Sequence, residues 1–386
     1  MHAAQPRYDA ETARHATNLE LFVDLVFVFA VTQVAELLSK DVSWPAVGKV
    51  TLIGSLVWWL WSQYTWAGSA LDLQAKPATR ILVLCTIPVT LMMAVSIPDV
   101  YHGSSRWFGA SYITVQFLVL AMQGWNALWR PATRIGFLRY ASVAVIAPAV
   151  VLIGSLMTKH ARLWVWLVAA VIDIVAALRA SGGEWTINPT HFVERHALFV
   201  IISLGEALVA IGASATKAGL SLHIAVGLVV AASLACVMWW TYFAYIPDVG
   251  EHYLKACQGV DRGRSARDLF SFGHLPLVIG IIGYAVVVRR MVPVPGERLE
   301  PAVLRVLGGS IVLMSSTFVV LAWRIGRIIK PERTAAIIVT IGWCVIGRNL
   351  PGSVVIGVLG VVLGIVQGVS WRRFRQGDMA SLTSNR

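Results

Sequence analysis

Long apolar runs alternate along this chain with short basic or turn-rich breaks. About 20 apolar residues at about 1.5 Å rise each cross a hydrocarbon core roughly 30 Å thick. Such runs lie near 19–38, 50–68, 80–97, 107–129, 137–157 and 162–180. A second series lies near 193–213, 222–246, 271–290, 302–323, 334–347 and 352–370. The spacing predicts an all-α, polytopic transmembrane bundle of about twelve helices. The eleventh run is short and joins the twelfth through only Arg348, Asn349, Leu350 and Pro351. A re-entrant hairpin is therefore an alternative there. The longest connection, from about Pro247 to Phe270, reads as a charged linker, and no loop is long enough for a separate soluble domain.

The runs divide into two sets of six, and an internal repeat is faintly visible between them. Trp58, Trp59, Trp61 and Tyr64 of the second run recur at a constant offset of 181 as Trp239, Trp240, Tyr242 and Tyr245 of the eighth. Glu20 precedes Leu21, Phe22 and Val23, as Glu194 precedes Leu198, Phe199 and Val200. The pattern predicts two parallel six-helix repeats, 19–180 and 181–370, flanked by an N-terminal segment 1–18 and a tail 371–386. Aromatic belts at a membrane interface would give a similar pattern.

Composition strengthens the membrane reading: 57% of the residues are apolar and 13% charged, against about 25% charged in a soluble domain. The net charge of +12 sits in the breaks between apolar runs, where it has an orienting role, so no nucleic-acid partner is expected. Segments on the N-terminal side of the bundle hold 21 of the 32 basic residues and the opposite loops 11, which places both termini in the cytoplasm. The loop with Arg289, Arg290, Arg298 and Arg305 fits that bias poorly. Arg7, Asp9, Glu11 and Arg14 precede the first run without a small-residue cleavage site, so that run is expected to be retained. Cys85, Cys236, Cys257 and Cys344 lack metal-type spacing and read as packing residues.

The candidate chemistry lies in costly intramembrane carboxylates. Asp24 falls about 7 to 8 Å inside the first run, where a charge costs about 2.5 to 3.5 kcal/mol on insertion scales. It should face a cavity or partner, or be protonated. Glu20 lies one turn earlier on the same face, Thr32 and Gln33 continue the polar content, and Glu36 sits near the far end. Glu206 lies about 18 Å along the seventh helix from Glu194, near mid-membrane, with Ser203 and Gly205 leaving room beside it. Asp173 is embedded in the sixth run. Each of these carboxylates carries a second reading as a structural partner of a neighbouring helix or basic group.

His191, Glu194, Arg195 and His196 form H-x-x-E-x-H, which matches neither zinc signature, H-E-x-x-H nor H-x-x-E-H. His191 and Arg195 share a face and His196 points elsewhere, so no metal and no cofactor are predicted. The four read as a charge cluster at the cytoplasmic face. Gly360, Gly364 and Gly368 make a small-residue ridge fitted to another helix, which would suit a homodimer interface.

Two segments carry a family resemblance: Leu19 to Gln33, reading LELFVDLVFVFAVTQ, and His191 to Glu206, reading HFVERHALFVIISLGE. Both closely resemble signatures of the bacterial low temperature requirement A (LtrA) family, and the likeness runs through nearly the whole chain, including the Trp58-Trp59 helix. It implies a multi-pass protein of the bacterial cytoplasmic membrane rather than a particular reaction. Phe22 to Thr32 is also distantly similar to the Phe-Ser-Asp first helix of potassium channels built from six-helix repeats. Val23 stands in place of the Ser, and the second half has no matching Asp.

Together these features predict a transporter or channel for a cation or proton, with Glu20, Asp24, Thr32, Gln33, Asp173 and Glu206 along its route. The alternative is a membrane enzyme or accessory protein acting on lipid or a protein partner through His191, Glu194, Arg195 and His196.

Overall fold

The structure is a computed structural model that describes residues 14–71, 73, 76–180 and 183–373. The ends of the expected terminal segments, 1–13 and 374–386, lie outside the described residues. The fold is all-α, with no strand among the described residues beyond an isolated bridge between Arg298 and Pro351. The first seven helices are α1 (Asn18–Lys40), α2 (Trp44–Ala70), α3 (Pro77–Ser96), α4 (Ser105–Ala127), α5 (Pro131–Ala144), α6 (Ile146–Leu156) and α7 (Lys159–Arg179). The remainder are α8 (Pro189–Ala218), α9 (Leu222–Phe243), α10 (Ile246–Ala256), α11 (Gly259–Ala266), α12 (His274–Met291), α13 (Pro301–Gly326), α14 (Pro331–Ile346) and α15 (Gly352–Arg373). Among the described residues, 9 helical stretches are long and apolar enough to cross a membrane. Helices α2 and α4 fall outside that set because indole, amide and hydroxyl side chains lower their hydropathy, and α14 because it has only 16 residues.

Local chemistry sets the helix ends. Thr17 and Glu20 form a reciprocal capping box at α1, and Asn188 caps α8 by accepting from His191 N at 3.1 Å. Prolines open α3, α5, α8, α13 and α14, where the missing N–H would have no helical partner.

Two expected spans are interrupted, each for the same reason. The fifth divides into α5 and α6 at Val145, because Pro148 has no N–H for the carbonyl of Ala144. The ninth is preceded by a π-helical turn, Arg267–Phe272, whose end coincides with the carbonyl that Pro276 leaves unpaired. The expected charged linker is likewise not irregular. It folds as α10 and α11, which bury Leu254 and Ala266 and lead into buried Leu269 and Phe270, so its charges lie on one side of amphipathic helices.

Helix α1 packs against α2, α3, α8 and α12, and α12 packs against α8 and α13. Two apolar cores result, one centred on α1 to α4 and one on α8, α9, α12, α13 and α15. The outer surface is apolar too: Ile81, Val95, Trp164, Val209, Val361 and Ile365 are all exposed. A lipid bilayer satisfies such a surface, and helices satisfy their backbone groups within it. Helices α14 and α15 form an antiparallel pair, with Glu332 beside Arg373 at one end and Trp343 bonded to Val355 O toward the other. Of the glycine ridge of α15, Gly360 and Gly364 lie against Leu234 and Val237 of α9, and Gly368 faces open space.

Candidate functional site

Helices α1 and α8 run parallel and share a buried ionic layer. Counted from their caps, Thr17 and Asn188, Glu20 and His191 are each the third residue, and Asp24 and Arg195 each the seventh. Helical spacing places the third and seventh positions on one face. Equivalent places on the two helices therefore hold opposite chemistry, acid on α1 and base on α8. His191 Nε2 lies 3.0 Å from Glu20 Oε1, Arg195 Nη1 lies 3.1 Å from the same oxygen, and Arg195 Nη2 donates to Asp24 Oδ1 at 2.7 Å. All four side chains are buried.

Helix α2 completes this layer. Trp61 Nε1 donates to Asp24 Oδ1 at 2.8 Å, and the Tyr64 ring lies 6.0 Å from the Arg195 guanidinium carbon. Asp24 Oδ2, Arg195 Nε and His191 Nδ1 are buried without a hydrogen-bond partner among the described residues. Removing such groups from water costs several kcal/mol per ion, which the close ion pairs offset only in part.

A second cluster lies farther along the same two helices. Glu206 Oε1 accepts from Arg289 Nη2 at 2.6 Å, Thr32 Oγ1 donates to Glu206 Oε2 at 2.6 Å, and Arg289 Nη1 reaches Glu36 at 2.7 Å. Arg289, at the end of α12, thus belongs to the interior and not to a free loop. This explains the poor fit of its loop to the charge bias: Arg289 is neutralised by carboxylates, Arg290 bonds to Ser39 O, and Arg305 lies over the Trp44 ring. Gln33 is half-buried beside Thr32 and, among the described residues, hydrogen-bonds to neither cluster.

The four residues of H-x-x-E-x-H do not form one surface patch. His191, Arg195 and His196 are buried, and only Glu194 reaches the edge, where it accepts from Ala16 N at 2.8 Å and pins the approach to α1. His196 turns from His191 as expected: its Nδ1 bonds to Phe192 O at 2.8 Å, and its ring packs 5.0 Å from Trp61 and 5.4 Å from His274. The repeated aromatic residues separate by environment. Trp58, Trp59, Tyr64 and Tyr245 are buried, whereas Trp239 and Trp240 are 45% and 38% exposed on the outer face of α9.

Asp173 of α7 occupies different surroundings. Its carboxylate has no basic partner among the described residues. Oδ2 accepts from Tyr112 OH at 3.5 Å, and Oδ1 has no hydrogen-bond partner among the described residues. Tyr140 and Trp59 also stand close to it. Tyr140 OH, Trp59 Nε1 and both amide atoms of Gln116 are likewise buried without a hydrogen-bond partner among the described residues. Four helices, α2, α4, α5 and α7, thereby contribute to a buried polar cluster with more donors and acceptors than bonds.

The model of the bacterial low temperature requirement A protein (LtrA) family matches residues 15–367, from the approach to α1 into α15. The chain belongs to the LtrA family. An uncharacterized protein of Rhizobium meliloti (strain 1021) is 32% identical over 283 residues, covering 69% of this LtrA chain and 67% of its own length. No solved structure matches. The α1 and α8 segments that resemble the LtrA signatures are the two that meet in the ionic layer. Arg289, His274, Tyr112, Gln116 and Tyr140 are participants that the sequence did not single out. Arg289 had one available signal, its misfit to the charge bias.

Proposed function

We propose that this LtrA protein is a transporter or channel for a proton or small cation, built from two parallel six-helix repeats with both termini in the cytoplasm. The observation that carries the reading is the buried layer in which α1 supplies Glu20 and Asp24 and α8 supplies His191 and Arg195 at equivalent positions. Ionisable groups inside a membrane protein are costly and mark pathways and relays. A bundle that needed only stability would be served as well by apolar packing.

Several features support the repeat. In each half the first helix packs on the second and third, the third on the fourth, and the last on the second, with α8, α9, α12, α13 and α15 taking the places of α1, α2, α3, α4 and α7.

In this reading, Glu20, Asp24, Thr32, Gln33, Asp173 and Glu206 line the route. Asp24 Oδ2 is free to accept a proton, which would weaken the hold of Asp24 on Arg195 and loosen α8 against α1. Asp173, with hydroxyl, indole and amide neighbours only, is the carboxylate able to hold the transported proton or cation without displacing an arginine.

The test is proton and potassium flux into liposomes holding the purified protein. Wild type should conduct under an imposed gradient, and Asp24→Asn, Asp173→Asn and Glu206→Gln should each reduce flux. Absence of flux in the wild type under every gradient would reject passage.

A further inference from the structure

An apolar pocket lies between α10, the end of α13 and the start of α14. It is apart from the ionic layer, at the end of the bundle that holds the α8 cap, where Thr190 bonds to Glu251 of α10. Its walls are apolar, from residues such as Ile246, Leu269, Phe270, Leu321 and Ile325, and no acidic residue lines it. Two cations, Lys330 and Arg333, complete the lining.

Arg333 is the informative residue. It is 5% exposed, yet it has no carboxylate partner among the described residues, and its one hydrogen bond is from Nη2 to Gln367 Oε1 at 2.8 Å. The guanidinium has five N–H donors. Its remaining contacts are faces of aromatic rings, Tyr245 at 5.5 Å and Phe318 at 5.2 Å, and the Lys330 ammonium lies 5.6 Å from the same tyrosine ring.

The other buried arginines are provided for. Arg195 and Arg289 each face two carboxylates, and Arg162 donates to the carbonyls of Val100 and Met157. A buried cation resting on ring faces, beside the N-terminus of α14 with its partial positive charge, makes surroundings that favour an anion.

From this geometry we infer that the pocket binds an anionic amphiphile, with its phosphate or carboxylate headgroup on Arg333 and Lys330 and its hydrocarbon chain along the α10 and α13 walls. The neighbouring exposed apolar residues, Trp323 and Ile329, form the kind of surface a bilayer covers. The headgroup chemistry is shared by an acidic membrane lipid and by a free single-chain amphiphile.

Equilibrium binding of radiolabelled dodecyl phosphate to the full chain in uncharged detergent tests the site. Saturable binding is expected, weakened about tenfold by Arg333→Gln, which removes a charged contact, and about threefold by Lys330→Gln. Lys330 is half-buried at the α14 cap, so Lys330→Gln keeps the test decisive if Arg333→Gln does not fold. Displacement by phosphatidylglycerol but not phosphatidylcholine would support the site with a membrane lipid as its source. Retention of dodecyl phosphate against both would support it with a free amphiphile. Equal binding of dodecyltrimethylammonium, full displacement by inorganic phosphate, or unchanged binding in a folded Lys330→Gln protein would overturn the proposal.

Discussion

Asp24 and Asp173 are both aspartates buried in apolar helices of the first half, yet their neighbours differ completely. Asp24 meets Arg195 at 2.7 Å and the Trp61 indole at 2.8 Å, whereas Asp173 has a tyrosine hydroxyl at 3.5 Å and, among the described residues, no basic partner. Burial and residue type are alike in both cases. The partner distinguishes them: a paired carboxylate fixes two helices to each other, and one without a base has no ionic bond to lose when its charge changes. In a protein that must bind and release a cation, the second kind of site suits the cargo and the first suits the mechanism that responds to it.

The strongest way to break this comparison is to remove the base. Arg195→Gln leaves Glu20 and Asp24 buried beside each other without their shared cation, and it should cost about 3 to 5 kcal/mol of stability. Unfolding in detergent measures the loss, and adding Asp24→Asn to the same chain should recover part of it. A loss no larger than that of an exposed substitution would show that the layer does not hold α1 to α8. A smaller effect is expected from Trp61→Phe, which takes one donor from Asp24 and should cost about 1.5 to 3 kcal/mol, read by the same unfolding measurement. The smallest stability effect belongs to Asp173→Asn. No arginine is orphaned there, so the change should fall within about 1 kcal/mol while flux is lost. A collapse of stability in Asp173→Asn would make the two aspartates alike after all.

Much of the fold was legible because helix signals are local. Run length, proline at helix starts and the Thr17-Glu20 box are written within a few residues of where they act, and every expected span is mainly helical, the fifth as the pair α5 and α6. The breaks at Pro148 and Pro276 were legible in principle, since each proline removes a known bond, but apolar continuity hid them.

The site was legible only on one side. The cost of an intramembrane charge singled out Glu20, Asp24, Asp173 and Glu206, and nothing local reveals a partner such as Arg195 of Asp24, 171 positions away. The same limit explains the aromatic repeat. Trp58 and Trp239 stand at matching places in the sequence, but Trp58 is covered by His196 and Phe199 of α8, while Trp239 faces outward beside Phe243 of its own helix. The match of Glu20 with Glu194 fails likewise: measured from the helix caps, the counterpart of Glu20 is His191.

That opposition between matching positions bears on how such a chain can be assembled. An α1 helix placed against a second α1 would set glutamate on glutamate and aspartate on aspartate, and two α8 helices would oppose arginine to arginine. Neither pairing is self-complementary, so the two segments can only act as unlike mates. Made as separate polypeptides, they would select each other and reject their own copies, much as oppositely charged strands sort themselves in a heterodimeric coiled coil.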